Sequence, residues 1–197
     1  MKNSSIIAAA LCTLILGSCS GAGKTDSQAS DAAGIAVTDS AETSGSATDR
    51  SVGKEAEKAL YSFYYDKEML DASNPDLTCS EAMRRRFEEA GVTSGVQDPF
   101  SRSFNDLCKR YQEATEVGFD YDILWNTQDM VTDFDLEVTD VTVIDNDNVI
   151  FNVIQRNNGE ESLRVIELTR ENGVFRIDNI DDLRRIAESE MAEAGTN

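Results

Sequence analysis

Three aspartates gather around the chain's single tryptophan: Asp120, Asp122 and Asp129 flank Trp125. Two carboxylates at a fixed separation, one kept protonated by its surroundings, can run acid–base chemistry of the glycosidase type. The same acids serve equally as caps on helix and strand ends, and Trp125 as core or pocket wall instead of a platform for a ligand. The chain contains no histidine. That removes Ser-His-Asp and Cys-His machinery, histidine metal sites and proton shuttling near neutral pH. From Tyr111 to Gln155 there are eleven acids and no lysine or arginine. Asp133, Asp135 and Glu137 alternate within that run and form an acidic face for a basic or cationic partner, unless Arg84–Arg86 or Arg184–Arg185 folds against it.

Other chemistry is poorly supported. Calcium takes oxygen ligands of this kind, but Asp145-Asn146-Asp147-Asn148 lacks the loop glycine and distal glutamate of a helix–loop–helix site and reads as a turn. No pattern asks for a cofactor or a metal. The net charge of −19 disfavours nucleic acid, which binds a positive face that displaces counterions. Cys79 and Cys108 leave two readings open. In an oxidising compartment they could bridge, stabilising by about 3–4 kcal/mol on the chain-entropy model; they could equally be two buried free thiols.

Residues 16–25, LGSCSGAGKT, carry two conflicting signals. A phosphate-binding loop needs a glycine, four further residues and then Gly-Lys-Thr, and the position of that first glycine is Ser18. The polar run that follows has no helical period, so the nucleotide reading fails. The segment from Ile6 to Leu16 is apolar apart from Thr13 and follows Lys2. As a helix it is about 16 Å long, too short for a hydrocarbon core of about 30 Å, which fits a leader over residues 1–18. Leu16-Gly17-Ser18-Cys19 resembles the lipobox of bacterial lipoproteins. The resemblance implies cleavage before Cys19 and fatty acylation there, with a lipid bilayer as the first partner. Several acyl chains hold a protein durably where one does not. By the same resemblance, Ser20 in place of aspartate and the lack of an acidic cluster after Cys19 imply an outer-membrane lipoprotein on the periplasmic face.

The elements that must position the acids lie further on. Residues 19–52 are Ser, Gly, Ala, Thr and Asp with few bulky aliphatics, a composition that cannot offset the entropy of ordering and reads as a disordered tether. Residues 53–197 suffice for one domain. Ala56, Leu60, Phe63 and Tyr64 give a first helix its apolar stripe. Thr78 and Glu81 have the spacing of a capping box opening a second, and Asp98-Pro99 opens a third. The period then drops to 2, with Phe134, Leu136 and Val138 alternating with acids and a phase slip before Val141 that predicts a bulge. Turns at 145–148, 157–159 and 171–173 separate four strands, and a final helix follows Asp181-Asp182. The expected fold is α+β, with N-terminal helices packed on one face of a curved four-stranded antiparallel meander.

Residues 56–180 are similar to a family of uncharacterised Gram-negative lipoprotein domains with a cystatin-like, nuclear-transport-factor-like cone fold. The carrying residues are Leu60-Phe63-Tyr64, Asp120-Tyr121-Asp122 with Gln128-Asp129, and Val174-Phe175-Arg176-Ile177-Asp178-Asn179-Ile180. The chain departs from the family at Phe175, where tryptophan is common, and at Thr127, where alanine is. The resemblance implies the cone fold, an envelope location and acids at 120–129 near the cone's mouth, and brings no known reaction. Two functions remain: a non-enzymatic binding or scaffolding lipoprotein for a basic peptide, cationic ligand or envelope protein, or a hydrolase or isomerase using cone-lining carboxylates.

Overall fold

The structure, a computed structural model, describes residues 46–70 and 78–195, all within the unit Thr43–Asn197. The expected leader, Cys19 and the tether up to residue 45 lie outside the described residues. Helix α1 (Ala47–Tyr64) opens ahead of the boundary expected at residue 53. Ser46 Oγ accepts from the Asp49 amide at 3.1 Å while Asp49 accepts from the Ser46 amide at 2.9 Å. This reciprocal cap uses aspartate where the usual pattern has glutamate or glutamine, and it carries the helix far enough to bury Val52.

Two later helices also start where a serine caps them. A short turn, α2 (Lys67–Leu70), precedes the two-residue strand β1 (Thr78–Cys79). Helix α3 (Glu81–Glu89) is capped by Ser80 and not by Thr78, because Thr78 is drawn into β1. Helix α4 (Arg102–Thr115) is capped by Ser101 and not by Asp98: Phe100 and Ser101 run extended along the sheet, where the Ser101 amide donates to Ile177 O at 2.8 Å.

The sheet corrects the expected fold in one respect. Strands β2 (Asp133–Val143), β3 (Asn148–Asn157), β4 (Glu160–Glu171) and β5 (Val174–Ile180) form the antiparallel meander. β1 then adds in parallel to β2, so the sheet is mixed, with five strands in the order β1-β2-β3-β4-β5. Two paired residues are too few to show a period, which hid β1 in the sequence. The predicted phase slip is a bulge between Val138 and Asp140, and a second lies between Glu167 and Leu168; bulges of this kind bend strands. Asn158-Gly159 and Asn172-Gly173 turn with positive φ at both residues, the mirror-image geometry that matches strand twist. Helix α5 (Leu183–Ala194) closes the chain and packs on α4.

One face of the sheet is the core. Phe134, Leu136, Phe151, Val153, Ile166, Leu168, Phe175 and Ile177 are buried together with Leu60 and Tyr64 of α1, Met83 of α3 and Phe104 and Leu107 of α4. The interior is filled by side chains, with Tyr64 and Phe134 stacked at 5.2 Å. Among the described residues no helix is long and apolar enough to cross a membrane.

Candidate functional site

The segment between α4 and β2 carries the predicted site residues, and its backbone makes its own turn. Asp122 Oδ1 accepts from the amides of Leu124 (2.9 Å) and Trp125 (3.0 Å), so this carboxylate caps the turn. The Asp122 amide donates to Thr127 O at 3.0 Å, and the Asn126 amide to Asp122 O at 2.7 Å. Asn126 sits at φ 53° to close the loop.

A buried arginine fixes this loop to the sheet. Arg164 of β4 is only 2% exposed. Its guanidinium donates to Leu124 O (3.2 Å), Ile123 O (2.9 Å), Gln155 Oε1 (2.8 Å) and Asp181 Oδ2 (2.5 Å). Gln155, itself buried, donates to Trp125 O at 2.8 Å, and Asn157 donates to the same carbonyl. A buried cation is tolerated only when its donors are used; here it satisfies carbonyls that a loop packed on the core would otherwise leave unpaired. The indole of Trp125 meets Tyr64 and Phe134 edge-on, with centroids at 5.4 and 4.8 Å.

The predicted residues are therefore only partly brought together. Asp122, Trp125 and Asp129 line one open cleft of about 360 Å³, with Asp66, Met69, Thr127, Met130 and Val131. Asp120 is exposed and outside that cleft. None of the three aspartates lies in the interior, whose buried polar residues are Ser101, Gln155, Arg164 and Asn179. Among the described residues no carboxylate is buried.

The acidic strand is partly neutralised by cations from outside its own run. Asp135 pairs with Arg86 of α3 at 2.6 Å and with Arg156 of β3 at 3.0 Å, and accepts from Ser80 Oγ at 2.7 Å. Partial burial pushes its carboxyl up, but the Ser80 hydroxyl and the Arg86 guanidinium outweigh this and hold it below the usual carboxylate range. Glu137 pairs with Arg156 at 3.1 Å. Asp133 has an exposed side chain at the head of β2. The expectation of one open acidic face over Asp133, Asp135 and Glu137 is thus corrected: Arg86, the last of the Arg84–Arg86 run, folds onto it. Asp145 is spent on its turn, accepting from the Asp147 and Asn148 amides at 2.8 and 2.9 Å. Among the described residues no group of three histidine, cysteine or acidic side chains is placed to hold a metal.

Cys79 and Cys108 are free thiols. β1 lies at the β2 edge of the sheet while α4 packs against β5 and α5, so the two cysteines sit on elements at opposite ends of the strand order and the expected alternative of a bridge is not formed. Burial pushes both thiols up, which makes them poor nucleophiles.

No family model, curated protein or solved structure matches the chain.

Sequence reasoning missed Arg164, Gln155 and Asp66. A signal for Arg164 existed. Along Leu163-Arg164-Val165-Ile166, the phase that buries Ile166 and Leu168 also points Arg164 inward and leaves Leu163 78% exposed. An arginine in the core phase of a strand marks a buried polar network. Gln155 lies in the same phase of β3, after Val149, Phe151 and Val153. Asp66 had no local signal, since it reaches the cleft only through the turn it caps, accepting from the Glu68 amide at 2.8 Å.

Proposed function

We propose that this chain is a lipid-anchored envelope protein whose folded body is a non-enzymatic binding module for a basic peptide, a cationic ligand or an envelope protein. Acylation at Cys19, a periplasmic outer-membrane location and a tether leading to the body belong to this reading, as does a cone-type fold related to the cystatin-like lipoprotein domains. Its support is the lipobox pattern, the charge of −19 and the placement of the acids. The observation that carries the binding reading is the cleft at Trp125, where Asp66, Asp122 and Asp129 rim an apolar floor and no described lysine or arginine lines it. The hydrolase or isomerase alternative draws no support from the interior, which buries no carboxylate among the described residues.

The test is photocrosslinking in intact cells. A photoreactive side chain replaces Met130, which is 75% exposed beside the cleft. The reading expects one discrete adduct with a basic partner, reduced in yield when Asp66→Asn and Asp129→Asn are combined with the probe. An absent adduct, or one indifferent to both substitutions, sinks it.

A further inference from the structure

The lining of the Trp125 cleft restricts what kind of cation it can hold. Its floor is Trp125, Met69 and Val131, with the thioether of Met130 exposed at its edge. Tryptophan is the best aromatic face for a cation, and methionine is soft and adaptable against irregular apolar groups. The three rim carboxylates are not free to converge as a metal cage. One oxygen of Asp122 is held by the Leu124 and Trp125 amides, and one oxygen of Asp66 by the Glu68 amide. Each keeps a second oxygen without a donor among the described residues, and the side chain of Asp129 has no described partner. A small hydrated cation would gain only diffuse attraction from acids fixed in this way. A cation carrying apolar substituents would gain the same attraction and also cover the floor.

Resting on the binding reading above, we propose that this cleft is a site for an ammonium group on an apolar stem, presented either by a small molecule or by a lysine side chain of a peptide. The loop that forms the rim is already clamped by Arg164 through Ile123 O and Leu124 O, so its ordering is not left to the moment of binding.

Trp125 is the only tryptophan in the chain, and its emission reads the cleft directly. The experiment titrates the full chain, held in a maltoside detergent free of ammonium groups, with four probes at matched ionic strength. They are hexyltrimethylammonium, the tripeptide Gly-Lys-Gly, the neutral heptanol and magnesium chloride. The inference expects a saturable change with one or both of the ammonium probes, the tighter of the two identifying the source. It expects little change with heptanol or magnesium. Asp129→Asn and Asp66→Asn should each weaken the ammonium response by about 2–5-fold, the range for an exposed charge or cation–π contact, with the denaturation midpoint unchanged. Silence with both ammonium probes overturns the inference. So does an equal response to heptanol, which would show a plain apolar groove, or to magnesium, which would show general screening. An ammonium response indifferent to both substitutions overturns it as well. A crosslinked basic partner at Met130 alongside a silent titration would leave the binding module standing and remove only the ammonium specificity.

Discussion

Arg164 joins strand β4 to Gln155 of β3 and to the loop carbonyls of Ile123 and Leu124. Four of its five N–H groups meet two carbonyls, one amide oxygen and one carboxylate in a site that is 2% exposed, and no apolar residue of similar length can replace those bonds. Arg164→Met leaves Ile123 O and Gln155 Oε1 without their donor and Asp181 without its cation, while Leu124 O keeps only the 3.3 Å bond from the Tyr64 hydroxyl. The expected cost is about 2–4 kcal/mol, as for two buried acceptors left without a donor, read from denaturant unfolding, with Trp125 emission shifting to the red as the loop loosens. Asp135 gives a pH signature of opposite character. Its carboxyl is held below the usual carboxylate range, so its ionised form is favoured by folding. The stability it contributes is complete above the unfolded value and is lost as pH falls through the lower folded value. Unfolding measured from pH 6 down to pH 2 should therefore show a loss below about pH 4 that Asp135→Asn flattens.

At the scale of elements, serines decide where helices begin. Ser101 is fully buried, accepts from the Phe104 amide at 3.0 Å and donates to Asp178 Oδ1 at 2.6 Å. It thus joins the start of α4 to β5. Ser101→Ala should cost about 2 kcal/mol, the upper range for a cap whose hydroxyl also serves a second group. Thr78→Ala, at the residue whose spacing suggested a cap, should cost well under about 1 kcal/mol because its exposed hydroxyl makes only a 3.2 Å bond to Thr132 O. Comparison of the two denaturation midpoints checks the assignment. These positions also show how much was legible beforehand. The apolar stripes of the helices, the three turns and the bulge after Val138 follow from period and from Asn-Gly, and the structure places them there. The caps slipped by two or three residues because competing serines and threonines look alike until the sheet claims one of them. β1 was invisible because its pairing depends on residues more than fifty positions away. Of the site, Asp122, Trp125 and Asp129 were found from local density, whereas Asp66 and Arg164 enter through tertiary placement.

Over the whole molecule, charge and topology point the same way. Both edges of the sheet are partly covered, by β1 on β2 and by residues 99–101 on β5, which discourages edge-to-edge pairing with other chains. The arginines largely serve the fold: Arg86 and Arg156 on Asp135, Arg164 on Asp181, Arg170 on Glu55 and Arg184 on Asp178. The acids are in excess, and the surplus faces solvent, where its field reaches roughly a Debye length of 8–10 Å. Association with a basic partner should accordingly weaken as sodium chloride is raised from 50 to 500 mM, and titration calorimetry at several salt concentrations checks it.

The proposal that this body works at a membrane rests on Cys19, and intact-mass analysis of the native chain extracted from envelope membranes tests it most directly. The native chain should begin at Cys19 and carry fatty-acyl mass, and a Cys19→Ser variant should keep its leader or be released from the membrane. A native chain that retains residues 1–18, or that starts at Cys19 without acyl mass, contradicts it.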